Sequence, residues 1–159
     1  CRNPAFGELL DQGRLMSDPS RMVCVPSLDD PGSAPPGHTT LYVLEPVPNL
    51  AAGTIDWTVE RPRMRERLLH FLDAQGYPTD IVTESMDTPL DWLDRGMAAG
   101  SPFALAHTFA QTGPFRTGNV VRRVPGLFLA GSGTVPGVGI PMVLVSGRLA
   151  AERVAAYAA

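Results

Sequence analysis

Residues 124–147 restrict the fold more than any other part of the chain, because they carry no charge and yet contain six glycines and three prolines. An uncharged stretch of this length is long enough to span a bilayer as a helix. So many helix-breaking residues, however, would leave backbone groups unpaired in lipid. The pattern instead predicts a buried strand at Leu127–Ala130, a glycine-rich turn, and a helix over Ile140–Tyr157.

Two glycine clusters lie between that strand and that helix. The first is Gly131-Ser132-Gly133-Thr134, hereafter the glycine turn, and the second is Gly137-Val138-Gly139, after which Pro141 opens the helix. Glycine allows positive φ and close approach of a ligand to the backbone, and a helix N-terminus attracts anionic groups. Because the helix start offers no Ser, Thr, Asp or Asn cap, its first N–H groups need another acceptor. These residues alone are compatible with a polar cofactor site or with a plain tight strand-to-helix connection.

The spacing of the glycines separates this segment from a primary dinucleotide-binding motif. It reads G-x-G-x-x-x-G rather than G-x-G-x-x-G, and no second strand ending in an acidic residue follows. The adenosine-binding fingerprint is therefore expected in an upstream part of the protein.

Hydrophobic periodicity and turn residues predict the remaining elements. In the helix at 56–75, Pro62 is expected to mark the true start, and Gly76 is expected to end it. Thr88, Pro89 and Asp91 form a capping-box pattern at the start of a short helix that ends near Gly96. A short helix is also predicted at 6–11, strands at 21–26, 39–47 and 80–86, and irregular structure at 96–118.

Composition excludes some classes of function. All 13 basic residues are Arg, and the net charge is −3. Without a dense basic run interleaved with aromatic residues, nucleic-acid binding is not expected. Two distant cysteines, Cys1 and Cys24, and three scattered histidines argue against a metal site and weakly favour a reducing, cytoplasmic setting. The chain starts at Cys1 without a Met or a leader, which we interpret as a cut in a longer chain.

Several segments together resemble the phytoene desaturase (phytoene dehydrogenase) family of carotenoid biosynthesis. They occur in the order of that family and with similar spacing, and the last resembles its C-terminal flavin-binding signature. These segments are SAPPGHTTLYVLEPVP at 33–48, TPLDWLD at 88–94, GSPF at 100–103, QTGPFRTGN at 111–119, and residues 126–148.

The resemblance implies an FAD-dependent enzyme with a glutathione-reductase-like α/β scaffold. It implies desaturation of a C40 carotenoid precursor by hydride transfer to the flavin, a long apolar substrate tunnel, and a cytoplasmic protein attached peripherally to a membrane surface. Residues 1–120 are then expected to belong to a β-rich substrate domain, and residues 121–159 to complete the FAD-binding domain. The missing N-terminal part of the same protein would supply the other FAD contacts, so this fragment alone is expected to bind FAD poorly and to expose an apolar face.

By the same resemblance, specific residues are expected to line the flavin site. Three departures from the family pattern accompany them: Ser132 replaces a common acidic residue, Val135-Pro136-Gly137 replaces His-Pro-Gly, and Met142 replaces a common Gly. The expected cofactor-binding residues are Gly131, Ser132, Gly133, Thr134, Val138, Gly139, Ile140, Pro141, Met142 and Val143.

Other candidate residues keep more than one interpretation. Arg116 and Asn119 are expected to contact a flavin phosphate, to position the adjacent loop, or simply to be solvated. Phe103, Phe109 and Phe115 are expected to line the substrate tunnel or to pin their loop to the core. His107 is an acid–base candidate but fits a structural role better, and no catalytic residue is assigned, since the cofactor carries the chemistry.

Two alternative functions remain at this stage. One is a carotenoid isomerase or a desaturase of a modified carotene within the same family. The other is a non-catalytic remnant or an isoprenoid-binding module without flavin.

Overall fold

The computed structural model describes residues 4–106 and 108–158. The chain divides into two compact units, the first ending at Ser101 and the second beginning at Pro102. The predicted functional domains, 1–120 and 121–159, stay a prediction. Cys1 and His107 lie outside the described residues, so the interpretations given for them do too.

The regular secondary structure of the first unit is mostly helix, with one small antiparallel sheet. Strands β1 and β2 pair in the register Met22↔Leu44, Val23↔Val43 and Cys24↔Tyr42. The helices of this unit are α1 (Pro4–Leu10), α2 (Pro26–Asp29), α3 (Trp57–Ala74) and α4 (Pro89–Asp94), the strands are β1 (Met22–Cys24) and β2 (Tyr42–Leu44), and 3₁₀ turns lie at Pro31–Ser33 and Ala98–Gly100.

Helix α3 includes Pro62 in its interior, so the prediction that the helix begins at Pro62 is wrong. The first turn is stabilised by Asp56, whose carboxylate accepts from the backbone N–H of Thr58 at 3.0 Å and from its hydroxyl at 2.6 Å. Trp57 is buried at the same end of the helix. These interactions offset the backbone hydrogen bond that a proline inside a helix removes.

The predicted glycine end of α3 and the predicted capping box of α4 are confirmed. Gly76 has φ +79°, and the N–H groups of Gly76 and Tyr77 donate to the carbonyls of Asp73 and Leu72, both at 2.9 Å, as in a Schellman motif. At the start of α4, the Asp91 carboxylate accepts from the N–H of Thr88 at 2.7 Å and from its hydroxyl at 2.6 Å. These two bonds, the side-chain one first, lower the pKa of Asp91. A glycine end and a capping box thus form where the sequence predicts them.

Residues 80–86 are not a strand, and the expectation of a β-rich first two thirds is wrong for the described residues. Ile81 and Val82 are exposed instead of packing in a sheet. The segment is held beside α3 by side chains, since Arg61 donates to the carbonyl of Met86 and Arg65 pairs with Glu84. β-branched residues favour a strand only where a partner strand is present.

The second unit consists of short turns that lead into one long helix, α5 (Ile140–Ala158). Two isolated bridges connect its loops, Thr117 with Thr134 in parallel and Val120 with Phe128 antiparallel. The predicted buried strand at 127–130 is therefore wrong: only Phe128 is bridged, and Leu127 is exposed. The 3₁₀ turns of this unit lie at Phe109–Gln111 and Gly113–Phe115.

Helix α5 confirms the predicted C-terminal helix and exposes apolar side chains. Ile140 and Leu144 near its start are largely exposed, whereas Ser146 and Ala150 are buried. Within the described residues, no helix has the length and apolar character needed to cross a membrane.

Candidate cofactor-binding site

The glycine turn and the second glycine cluster have the backbone conformations that their composition predicts. Gly131 has φ +112°, Gly137 +141° and Gly139 +113°, values that side-chain-bearing residues rarely adopt. A Cβ atom built at Gly131 or Gly139 would meet no described atom within 4 Å. The backbone at both positions therefore faces open space, which leaves room for close approach of a ligand.

Arg116 lies directly behind the glycine turn and is buried, with only 4% of its surface exposed. Its Nε donates to the carbonyl of Thr134 at 3.0 Å, and one terminal nitrogen donates to the carbonyl of Ser132 at 2.5 Å. The guanidinium also donates to the carbonyls of Leu105 and Gln111 at 3.1–3.2 Å. The interpretation of Arg116 as a solvated surface residue is therefore wrong, and the geometry matches the alternative in which it positions the adjacent loop.

A buried polar cluster joins the other side of the glycine turn to helix α5. Asn119 Nδ2 donates to the carbonyl of Leu129 at 2.9 Å and contacts Ser146 Oγ at 3.2 Å. Ser146 Oγ accepts from the N–H of Gly131 at 3.1 Å and lies 2.5 Å from Thr134 Oγ1. Asn119, Thr134 and Ser146 are all buried, and Ser146 has no exposed surface.

The hydroxyl protons of this cluster can be assigned from the available acceptors. Thr134 Oγ1 donates to the carbonyl of Gly131 at 2.9 Å. Because each hydroxyl has one proton, Ser146 must then donate to Thr134 Oγ1 while it accepts from Gly131 and Asn119. Each hydroxyl is thereby fully used, and the conformation of the glycine turn depends on all three side chains.

The N-terminus of α5 adjoins the turn. Gly139 stands at the cap position, where its carbonyl accepts from the N–H of Val143 at 2.9 Å, but it has no side chain to accept from the first N–H groups of the helix. Gly139, Ile140, Pro141 and Met142 are exposed, so this helix end is accessible to a ligand.

The structure brings together part of the predicted cofactor set. Gly131, Ser132, Gly133 and Val138 are half-buried around the turn, Thr134 is buried in the polar cluster, and Val143 is half-buried on α5. Contact of these residues with FAD stays a prediction. Ser146 was not predicted as a site residue, although a lone hydroxyl inside the apolar run VLVSG was a signal for it.

The three candidate substrate phenylalanines are exposed: Phe103 by 58%, Phe109 by 84% and Phe115 by 60%. The rings of Phe109 and Phe115 lie 5.6 Å apart between centroids. The interpretation in which they pin their loop to the core is therefore wrong, and tunnel lining stays a prediction.

The chemistry of the site fits a large anionic cofactor. Gly131 and Gly139 face open space, the helix N-terminus presents partial positive charge, and Arg116 is a buried cation. The only carboxylate side chain between residues 102 and 159 is Glu152, which pairs with Arg148 at 3.9 Å. The second unit therefore has little negative charge that would repel a phosphate-bearing or otherwise electron-rich group.

Comparison with known proteins defines the class. Residues 2–155 match the family described as flavin containing amine oxidoreductase, and the chain belongs to this family. The family indicates an oxidoreductase class whose cofactor is FAD, which confirms the predicted cofactor and the predicted flavoprotein class.

The similar proteins are enzymes of carotenoid biosynthesis, which confirms the predicted phytoene desaturase family. The chain is 50% identical over 154 residues to phytoene dehydrogenase of Streptomyces griseus, covering 94% of this chain and 30% of that protein. It is 41% identical over 150 residues to zeta-carotene-forming phytoene desaturase of Myxococcus xanthus (91% and 29%). It is 36% identical over 159 residues to lycopene-forming phytoene desaturase of Pantoea ananas (95% and 32%). The chain thus spans roughly a third of the length of these relatives.

Proposed function

We propose that the protein containing this chain is an FAD-dependent desaturase of a linear carotene precursor. The observation that carries the proposal is the 50% identity to a phytoene dehydrogenase over 94% of the chain. The open glycine turn beside an accessible helix N-terminus supports it. Bound FAD would accept a hydride from one carbon of the hydrocarbon chain, and loss of a proton from the neighbouring carbon to water would complete the new double bond.

FAD, when bound, supplies the two-electron acceptor that no side chain of the protein can replace. The proposed role of this chain is to bind and orient that acceptor. The positive φ angles of Gly131 and Gly139 allow close approach of the cofactor to the backbone. The N-terminus of α5 favours negative charge near the turn. Gly131–Thr134 and Val138–Val143 are the proposed contact residues.

The proposed substrate class is a phytoene-like polyisoprenoid. The exposed rings of Phe109 and Phe115, with Phe103 nearby in sequence, are proposed to contact its apolar chain. A desaturase of 4,4'-diapophytoene is a second candidate, because the chain is also 39% identical over 149 residues to 4,4'-diapophytoene desaturase of Staphylococcus haemolyticus.

The proposal extends to architecture and location. Residues 121–159 are proposed to complete a glutathione-reductase-like FAD-binding domain, and residues 1–120 to form part of the substrate domain. Peripheral attachment to the cytoplasmic face of a membrane would give access to an apolar substrate. Flotation of the complete protein with lipid vesicles tests the attachment, and recovery of all protein in the lipid-free fraction would contradict it.

The decisive experiment is the visible absorption spectrum of the protein purified from its complete reading frame. Flavin bands are expected, and they are expected to bleach without oxygen when phytoene in detergent is added. Diapophytoene and a simple aliphatic amine serve as parallel substrates, the latter because of the family description. Bleaching by the amine alone would overturn carotene desaturation, and absence of flavin after addition of FAD would overturn the whole proposal.

A further inference from the structure

The buried guanidinium of Arg116 connects three separate segments of the second unit. It donates to the carbonyl of Leu105, on the loop before the 3₁₀ turns, and to that of Gln111, at the end of the first of these turns. It also donates to the carbonyls of Ser132 and Thr134 in the glycine turn. A guanidinium has five N–H donors in a fixed planar arrangement, so it can hold several carbonyls at once in one geometry.

These acceptors are all backbone carbonyls. Arg116 forms no ion pair within residues 4–106 and 108–158, and the one carboxylate side chain of its unit belongs to Glu152, which pairs with Arg148. A buried cation is costly unless it is fully hydrogen-bonded. Arg116 therefore fixes the backbone itself rather than an acidic side chain.

The direction of these bonds determines what the turn presents on its other side. In a trans peptide the C=O and the following N–H point in opposite directions. Since the carbonyl of Ser132 points to Arg116, the N–H of Gly133 points away from it. The N–H of Val135, which follows the carbonyl of Thr134, donates to the carbonyl of Thr117 at 2.9 Å. Gly133 thus presents its N–H on the side of the turn opposite to the guanidinium.

We propose that Arg116 is a positioning residue for the cofactor, which sets the glycine turn so that the N–H of Gly133 faces the bound flavin. The inference rests on the proposed function for the identity of the ligand, but not for the conformation of the turn. It differs from direct contact between the Arg116 charge and a flavin phosphate, because the donors of Arg116 are occupied by carbonyls.

Two substitutions separate geometry from charge. Arg116→Lys keeps the positive charge but replaces five donors in a fixed plane by three on one nitrogen, whereas Arg116→Ala removes the charge and all the donors. Arg148→Ala on α5 is the matched control, because the Arg148 side chain is 70% exposed. All variants are made in the protein expressed from the complete reading frame.

The first measurement needs no cofactor. Hydrogen–deuterium exchange of the apoprotein is compared for peptides that contain residues 131–135 and for peptides from α3. Both Arg116 variants are expected to speed exchange in the turn about ten-fold or more, as for loss of buried charged hydrogen bonds, while α3 and the control stay unchanged. Unchanged exchange in the turn of Arg116→Lys overturns the inference, whether or not the protein is a desaturase.

The second measurement is FAD affinity by fluorescence titration, together with the flavin absorption spectrum. Arg116→Lys is expected to lose about as much affinity as Arg116→Ala, at least roughly ten-fold, with little dependence on salt. Methylguanidinium is expected to restore part of the affinity of Arg116→Ala, and methylammonium is not. If Arg116→Lys binds FAD as tightly as the wild type does, the inference is overturned. It is also overturned if the loss of FAD affinity changes steeply with salt, because the charge of Arg116 would then act on FAD directly. A wild-type protein that binds FAD but does not desaturate carotenes overturns the proposed function alone.

Discussion

Two arginines of the first unit and one of the second bind the chain in different ways. In the first unit Arg61 pairs with Asp91 at 3.3 Å and Arg95 with Asp87 at 2.7 Å, and the arginine side chains of these pairs are about half exposed. In the second unit Arg116 is buried and donates only to carbonyls. Partly exposed ion pairs thus join elements of the first unit, whereas a buried guanidinium fixes one turn of the second.

The energetic consequence follows from burial. Exposed ion pairs contribute little, because water screens them and long side chains lose entropy in forming them. A buried polar group that loses its partner incurs the full desolvation cost, about 1–3 kcal/mol. One ion pair in the first unit is intermediate in exposure between these two cases. Arg21 bonds Glu45 at 2.6 Å and stacks over Phe71, and the Glu45 side chain is almost fully buried.

The largest effect among the remaining tests is expected at Ser146. Ser146→Ala removes the buried side-chain acceptor of the Gly131 N–H and one of the acceptors of the Asn119 amide, which keeps its bond to the carbonyl of Leu129. The opening free energy of the glycine turn should fall by about 1–3 kcal/mol, measured as faster hydrogen exchange at residue 131. Ser33→Ala, which removes an exposed hydroxyl bound to the carbonyl of Asp30, is the control and should change its own segment far less. If the two variants changed hydrogen exchange in their own segments equally, the buried hydrogen bonds of the second unit would contribute no more than an exposed one in the first.

A smaller effect is expected at the capping box of α4. Asp91→Asn weakens the acceptor for Thr88 and should lower the stability of α4 by about 1 kcal/mol. Because the pKa of Asp91 is lowered in the folded state, its contribution is complete above the ordinary carboxyl pKa and disappears as pH falls through the lowered value.

The pH dependence of the wild type therefore sharpens this test. Below about pH 4, α4 should lose protection from exchange in the wild type, after correction for the intrinsic pH dependence of exchange. The Asn variant should lack that component. The same decline in both proteins would show that Asp91 does not act through its charge.

The smallest effect is expected at the exposed pair between Arg65 and Glu84. Their hydrogen bond lowers the pKa of Glu84, but both side chains are substantially exposed. Glu84→Gln should leave the thermal midpoint of the first unit unchanged within error, in low and in high salt. A drop of several degrees that disappears in salt would show that surface pairs do hold this unit together.

Features with a local physical cause can be predicted from the sequence. The positive φ of Gly76 and the contact between Asp91 and Thr88 involve residues within one turn of each other, so they leave a signature in the sequence. The strands predicted at 80–86 and 127–130 do not form, because a strand depends on a partner in another segment. The predicted helix start at Pro62 is also wrong, because the Asp56 cap and the burial of Trp57 offset the lost hydrogen bond.

In the candidate site, too, locally determined features can be predicted and long-range contacts cannot. The glycines were identified because a backbone with positive φ strongly favours that residue type. Ser146 was missed because its partners, Gly131 and Asn119, lie 15 and 27 positions away in the sequence. The role of Arg116 stayed open for the same reason, since its acceptors lie 5 to 18 positions away.

The link between Asn119, the glycine turn and Ser146 also sets an order for the nascent chain. During synthesis residues 119–134 leave the ribosome before helix α5, so they have no Ser146 hydroxyl to complete their hydrogen bonds. The bonds from Gly131 and Asn119 to that hydroxyl can form only after α5 has been made, because Ser146 lies on that helix. Maturation of this site is therefore tied to the completion of one C-terminal helix.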